Sequence, residues 1–101
     1  MRVRRVAYMA AVRALANEAA ELLAGGAGDE EVAGIMVARR NDIKRQFRAA
    51  DDPELVALME ARNRAKYGHP VGPGPDWLFE KYGSWKQVIE AACRPAGLRP
   101  L

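Results

Sequence analysis

The sequence predicts an all-α fold, a small bundle of three longer helices plus two short C-terminal helices, in a single helical domain over residues 1–101. Three observations carry this. Apolar residues recur at three- and four-residue spacing through long stretches rich in Ala, Leu, Arg and Glu. Gly and Pro punctuate those stretches rather than interrupt them. Two helix-start signatures, Asp52-Pro53 and Ser84 with Gln87 three positions on, stand where the punctuation ends.

The first helix is expected over Val3–Ala24, which has neither Pro nor Gly. Tyr8, Val12, Leu15, Ala19, Leu22 and Leu23 lie at helical spacing and form its inward stripe. Gly25, Gly26 and Gly28 end it. Asp29 is placed to cap the second helix, with Glu30 and Glu31 in its first turn, and that helix runs to about Ala49. Its apolar stripe is Val32, Ile35, Met36, Ile43 and Phe47; Asn41, Lys44, Arg45 and Arg48 occupy the other side. Asp52-Pro53 opens the third helix, which reaches Tyr67, stops at Gly68 and presents Leu55, Leu58 and Met59 inward. Residues 68–75 contain three prolines and three glycines and form a loop folded over the surface. A short helix over Asp76–Tyr82 brings Trp77, Leu78 and Phe79, and Gly83 ends it. Ser84 caps the last helix, which buries Trp85, Val88, Ile89 and Ala92; Pro95 sets its limit, and 95–101 is a loosely held tail.

Half of the residues are apolar and 29% are charged, an ordinary globular balance. Alanine supplies much of the apolar half, so the core must lean on a few larger groups such as Leu15, Met36, Phe47, Leu55, Leu58 and Trp85. A homodimer or a docking partner would complete a core that small. The net charge of +3 suits nucleic acid or an acidic partner only weakly, because 16 basic side chains face 13 acidic ones. The single cysteine, Cys93, rules out an intramolecular disulfide and a cysteine-based zinc cluster within one chain. No stretch approaches the roughly 18 apolar residues of a membrane span. Arg2, Arg4 and Arg5 before Val6–Val12 imitate a secretory leader, but Arg13 interrupts that segment and a leader is not expected. The glycines at 25–28 follow a helix and precede no Lys-Ser or Lys-Thr pair, so they are no phosphate-binding loop. No cofactor motif and no metal motif is present; Asp76 and Glu80 at i,i+4 read as a solvated face.

Several charged residues break the apolar pattern. Arg39 projects with Met36 and Ile43, while Arg62 and Lys66 continue the line of Leu55 and Met59. Snorkelling at helix ends explains such positions without function. The functional reading is a shared basic pocket at one end of the bundle that holds a phosphate or carboxylate, with Arg40, Asn41, Lys44 and Asn63 on its rim. His69, the only histidine, stands beside Lys66 and Tyr67 as a candidate acid or base for phosphodiester cleavage, against the plain reading of an exposed loop residue. Tyr67, Trp77, Tyr82 and Trp85 interleave with Lys66, Lys81 and Lys86, a composition that can stack on single-stranded nucleic acid. In a chain this poor in large apolar groups, core packing has the prior claim on both tryptophans.

The run Asn63-Arg64-Ala65-Lys66-Tyr67-Gly68-His69-Pro70-Val71-Gly72-Pro73 is followed by Ser84-Trp85-Lys86-Gln87-Val88-Ile89-Glu90-Ala91-Ala92-Cys93-Arg94. With Arg40-Asn41-Asp42-Ile43-Lys44 and Arg48 upstream, it resembles a segment at the C-terminal tips of bacterial polymorphic toxins of the Rhs and contact-dependent-inhibition type. The resemblance spans residues 39–94. It implies an effector domain carried by a larger delivery protein and neutralised by a cognate immunity protein, at work in the cytoplasm or in a target cell after delivery. In such segments the position of His69 is often acidic, which shifts attention to Arg40, Asn41, Lys44, Asn63, Lys66 and Tyr67. The chain departs from the pattern at its end, which is short and broken by proline where a glycine-rich finish is expected.

Three functions follow as expectations. An enzymatic effector acting on nucleic acid needs catalytic groups among Lys66, Asn63, Tyr67 and His69. It also needs Arg39, Arg40, Asn41, Lys44, Arg48 and Arg62 to hold the substrate, with Asn63 and Lys66 converging on Arg40 and Lys44 in one cleft. A non-catalytic protein-interaction or dimerisation module needs an exposed apolar patch. A helix–turn–helix regulator is permitted only loosely by the gaps at 25–28 and 51–53.

Overall fold

The computed structural model describes residues 2–94, with side chains from Arg5 onward. It is an all-α bundle of five helices, without strands among the described residues: α1 (Arg2–Ala24), α2 (Asp29–Arg48), α3 (Pro53–Tyr67), α4 (Pro75–Tyr82) and α5 (Trp85–Ala92). The expected tail over 95–101, and Pro95 as the limit of α5, lie outside the described residues.

Local chemistry explains the ends. At the end of α1 the Ala27 N–H donates to the Leu22 carbonyl and the Gly26 N–H to the Leu23 carbonyl, both at 3.1 Å. This pairing requires a left-handed residue, and Gly26 supplies it at φ 100°. Ala27 then packs on the core with Leu22. Asp52 caps α3 by accepting from the Glu54 N–H at 3.0 Å, and Ser84 caps α5 by accepting from the Gln87 N–H at 3.2 Å. The start of α2 differs from expectation. Gly28 holds the cap position without a side-chain bond, and Asp29 is already the first helical residue. Asp29, Glu30 and Glu31 therefore act on the helix dipole rather than as a cap.

The pairs Tyr8–Phe47, edge-to-face at 5.5 Å, and Glu18–Arg39, at 3.0 Å, make α1 and α2 an antiparallel hairpin. Helix α2 is the hub, packed most extensively against α5 and α1. The core lies where those three meet: Leu15 and Ala19 of α1, Val32, Ala33, Met36 and Val37 of α2, and Val88, Ile89 and Ala92 of α5. Small residues let the axes approach. Completely buried Val12, Val32, Met36 and Val88 each contribute roughly 1.5–3 kcal/mol.

Several core expectations fail on exposure. Leu55 is 37% and Leu58 58% exposed, Phe79 36% and Leu23 38%, and none of α3 is buried. The cause is the side that α3 turns inward. At 100° per residue, Val56, Glu60, Asn63 and Tyr67 share one face, and all four are half-buried. The hydrogen bond from Asn63 to Pro70 and the edge-to-face contact of Tyr67 with Trp77 seat this helix by that face, so its leucines are left facing solvent. The compensating surprise is Val71. It lies in the Gly/Pro loop yet is only 2% exposed, anchoring that loop like a core residue.

Candidate functional site

The C-terminal half of α2 carries Arg40, Lys44 and Arg48 at successive four-residue steps, so they form one row on the helix. All three are half-buried, Arg40 against the end of α5 and Lys44 and Arg48 beside the loop between α3 and α4. Asn63 of α3 fixes that loop by donating from Nδ2 to the Pro70 carbonyl at 3.0 Å. A Cβ placed on Gly72 would lie 3.2 Å from Lys44 Nζ and 3.8 Å from Asn41 Oδ1, so both side chains close on the loop at a residue that must stay small. Asn41, Lys44, Arg48 and Asn63 therefore gather around residues 70–72, and Arg40, the fifth of the set, stands one turn from Lys44 on α2.

Two of the five are occupied by the scaffold. Arg40 Nη1 donates to the Ala91 carbonyl and, at 3.3 Å, to the Ala92 carbonyl. These are among the last carbonyls of α5, which have no partner within the helix, and a guanidinium is well shaped to receive them. Asn63 is committed to Pro70. Lys44 and Arg48 are differently placed. Burial, and after it the charges of Arg40 and Arg48, lowers the Lys44 ammonium from 10.5 to about 8. Arg48 has a buried Nη1 that makes no hydrogen bond among the described residues. The Arg48 side chain also lines a cleft of about 160 Å³, with Arg45, Ala49, Val56, Glu60 and Val71. Arg45 meets Asp42 only at 3.9 Å, with both side chains more than half exposed, an ion pair worth little.

The other sequence candidates do not join this hollow. Arg39 points to α1, pairing with Glu18 at 3.0 Å, and is itself 56% exposed. Arg62 is exposed on α3. Lys66 is exposed too, with its ammonium 5.3 Å from the centre of the Tyr67 ring. Tyr67 in turn meets Trp77 edge-to-face at 4.7 Å. Asn63 and Lys66 thus part company: one residue turns to the loop and the other to an aromatic cluster. His69 Nδ1 accepts from the Val71 N–H at 3.4 Å, a long bond inside the loop. The single expected cleft is in fact two neighbouring sets, one basic and one aromatic.

Sequence reasoning missed Val71 and Glu60 as cleft walls and did not single out Arg45. A lone branched apolar residue within Pro70-Val71-Gly72-Pro73 is the signal that could have found Val71. Chemically, the cleft can receive an anionic oxygen from a phosphate or carboxylate. Arg48 and Arg45 line it with the opposing Glu60 carboxylate, and Lys44 stands one helical turn from Arg48, outside the lining and beneath the loop. Among the described residues no group of three or more His, Cys, Asp or Glu side chains is arranged to hold a metal ion. No described helix is long and apolar enough to cross a membrane. Cys93, half-buried, has its thiol raised above the usual value by burial. No family model, curated protein or solved structure matches this chain.

Proposed function

We propose that this chain is a small effector-like helical module that grips the phosphate backbone of a nucleic acid at the end of α2. One observation carries the reading: Arg48, whose buried Nη1 has no hydrogen-bond partner among the described residues, lines a cleft together with Arg45. A buried guanidinium N–H left unbonded costs free energy, and an anionic oxygen recovers it. Lys44, with its ammonium lowered to about 8 by burial and then by the charges of Arg40 and Arg48, stays charged at neutral pH at a cost that a bound anion would relieve. The resemblance of residues 39–94 to polymorphic-toxin tips supports the effector half of the reading, with a cognate immunity protein as partner. Fluorescence anisotropy of a labelled oligonucleotide tests it. Affinity should fall linearly with salt on logarithmic axes and drop about tenfold in Arg48→Gln. Absence of binding at 50 mM salt by a folded protein would overturn the reading. Incubation with RNA and DNA then decides whether binding leads to cleavage.

A second reading, non-catalytic self-association, is favoured by α3. Leu55 and Leu58 are exposed on a helix with acidic Asp52 and Glu54 at its start and basic Arg62, Arg64 and Lys66 at its end. Antiparallel pairing of two copies would match those charges and cover the leucines. Light scattering that gives twice the chain mass, reduced to one by Leu58→Arg, supports it; a monomer at 100 μM excludes it.

A further inference from the structure

We infer that Tyr67, Trp77, Lys81 and Tyr82 form a base-stacking platform, so that the nucleic acid bound here is single-stranded. This rests on the phosphate reading of the α2 cleft and adds the class of strand.

The residues form a continuous series. Lys66 Nζ lies 5.3 Å from the Tyr67 ring centre, Tyr67 meets Trp77 edge-to-face at 4.7 Å, and Lys81 Nζ stands 5.6 Å from Trp77 and 5.4 Å from Tyr82. The three rings are half-buried and the two lysines exposed. The core claims one of the two tryptophans and not the other. Trp85 and Leu78 pack against the buried cluster; Trp77, Tyr67 and Tyr82 are not among the residues that do. Three large rings thus sit beside the core without filling it, each within reach of an ammonium group.

Magnitudes favour a base over the present occupant. An exposed cation over a ring is worth about two- to fivefold in an equilibrium constant. A base stacked on an aromatic side chain is worth roughly fivefold to more than a hundredfold in affinity. A base can therefore displace Lys81 from the Trp77 face, and the freed ammonium can pair with the adjacent phosphate.

The platform also lies in line with the cleft. Glu60 lines the cleft and Tyr67 begins the platform. Seven residues apart, they lie within about 20° on α3 and roughly 10 Å along its axis. A strand with a phosphate at Arg48 can lay a neighbouring base against Trp77. Paired bases cannot do this, because their faces are already stacked inside the duplex.

The test is anisotropy at 50 mM salt with a labelled 12-mer RNA, the same 12-mer annealed to its complement, and polyphosphate as competitor. Wild type should bind the single strand at least tenfold tighter than the duplex. Trp77→Ala should lose about tenfold for the single strand alone, Trp77→Phe should keep most of the preference, and Arg48→Gln should weaken every polyanion. Lys81→Glu, a change at an exposed position outside the core, should also weaken the single strand and serves if Trp77→Ala does not fold. Equal binding of single strand and duplex, or indifference to both Trp77→Ala and Lys81→Glu, overturns the platform while salt-dependent binding leaves the phosphate reading standing. Failure to bind any of the three polyanions overturns both.

Discussion

Replacing Lys44 by Met should make the protein more stable at neutral pH. Lys44 is half-buried beneath the 68–74 loop, with Arg40 and Arg48 one helical turn to either side. Lowering the ammonium from 10.5 to about 8 sets a ceiling of roughly 3 kcal/mol on the free energy lost by carrying that charge in the folded state. Part of the group reaches solvent, which reduces the expected gain to about 2 kcal/mol. Met keeps the length and apolar stem of the side chain and removes only the charge. The melting temperature should rise by roughly 10 °C. The pH dependence has a definite sign. Below about 8 the lysine is charged in both states and the full cost is present. Between about 8 and 10.5 the unfolded chain keeps a proton that the folded chain has released, so wild-type stability climbs with pH. The advantage of Lys44→Met should therefore be largest at pH 7 and shrink toward pH 10.5, as read by urea unfolding of both proteins at each pH. A variant less stable than wild type at pH 7, or a difference that stays constant to pH 10, would refute the argument from burial and like charge.

Two more outcomes check the scaffold. Arg40→Met removes the donors that meet the Ala91 and Ala92 carbonyls and should cost about 2–3 kcal/mol in urea unfolding. It also takes a positive charge away from Lys44, whose titration, followed by NMR, should move up toward the ordinary lysine value. Ser84→Ala deletes the acceptor for the Gln87 N–H and should lower stability by about 1 kcal/mol in the same assay, leaving nucleic-acid binding unchanged.

The elements were legible because their signals are local. Helix starts at Asp52 and Ser84 and the glycine end of α1 follow from backbone groups that neighbouring residues must satisfy, so a few positions suffice to place them. The stripes of α1 and α5 were legible for a related reason: Tyr8, Val12, Leu15 and Ala19, and Val88, Ile89 and Ala92, lie on helices with one apolar side. Helix α3 has apolar residues on more than one side, and periodicity favoured Leu55 and Leu58 over the face carrying Asn63 and Tyr67. What turned the helix was a hydrogen bond to Pro70 and a ring contact to Trp77, both with partners beyond its own end. For the site, the α2 row was visible as residues, but its division of labour was not. Nothing in the spacing of Arg40, Lys44 and Arg48 tells that the first braces α5 while the last lines a cleft, because the deciding carbonyls lie 51 and 52 residues away in sequence.

The shallow seating of α3 has a consequence for how ligand and fold depend on each other. With no side chain buried in the interior, this helix can detach at little cost compared with α2, and its amide protons should exchange early. Both proposed contact zones nevertheless straddle it: Glu60 walls the cleft and Tyr67 starts the aromatic series. A strand lying across both would act as a clasp, bridging a weakly attached rod to the rigid hub. Occupancy would then lend this helix protection it does not have alone, in proportion to how far the ligand concentration exceeds its dissociation constant.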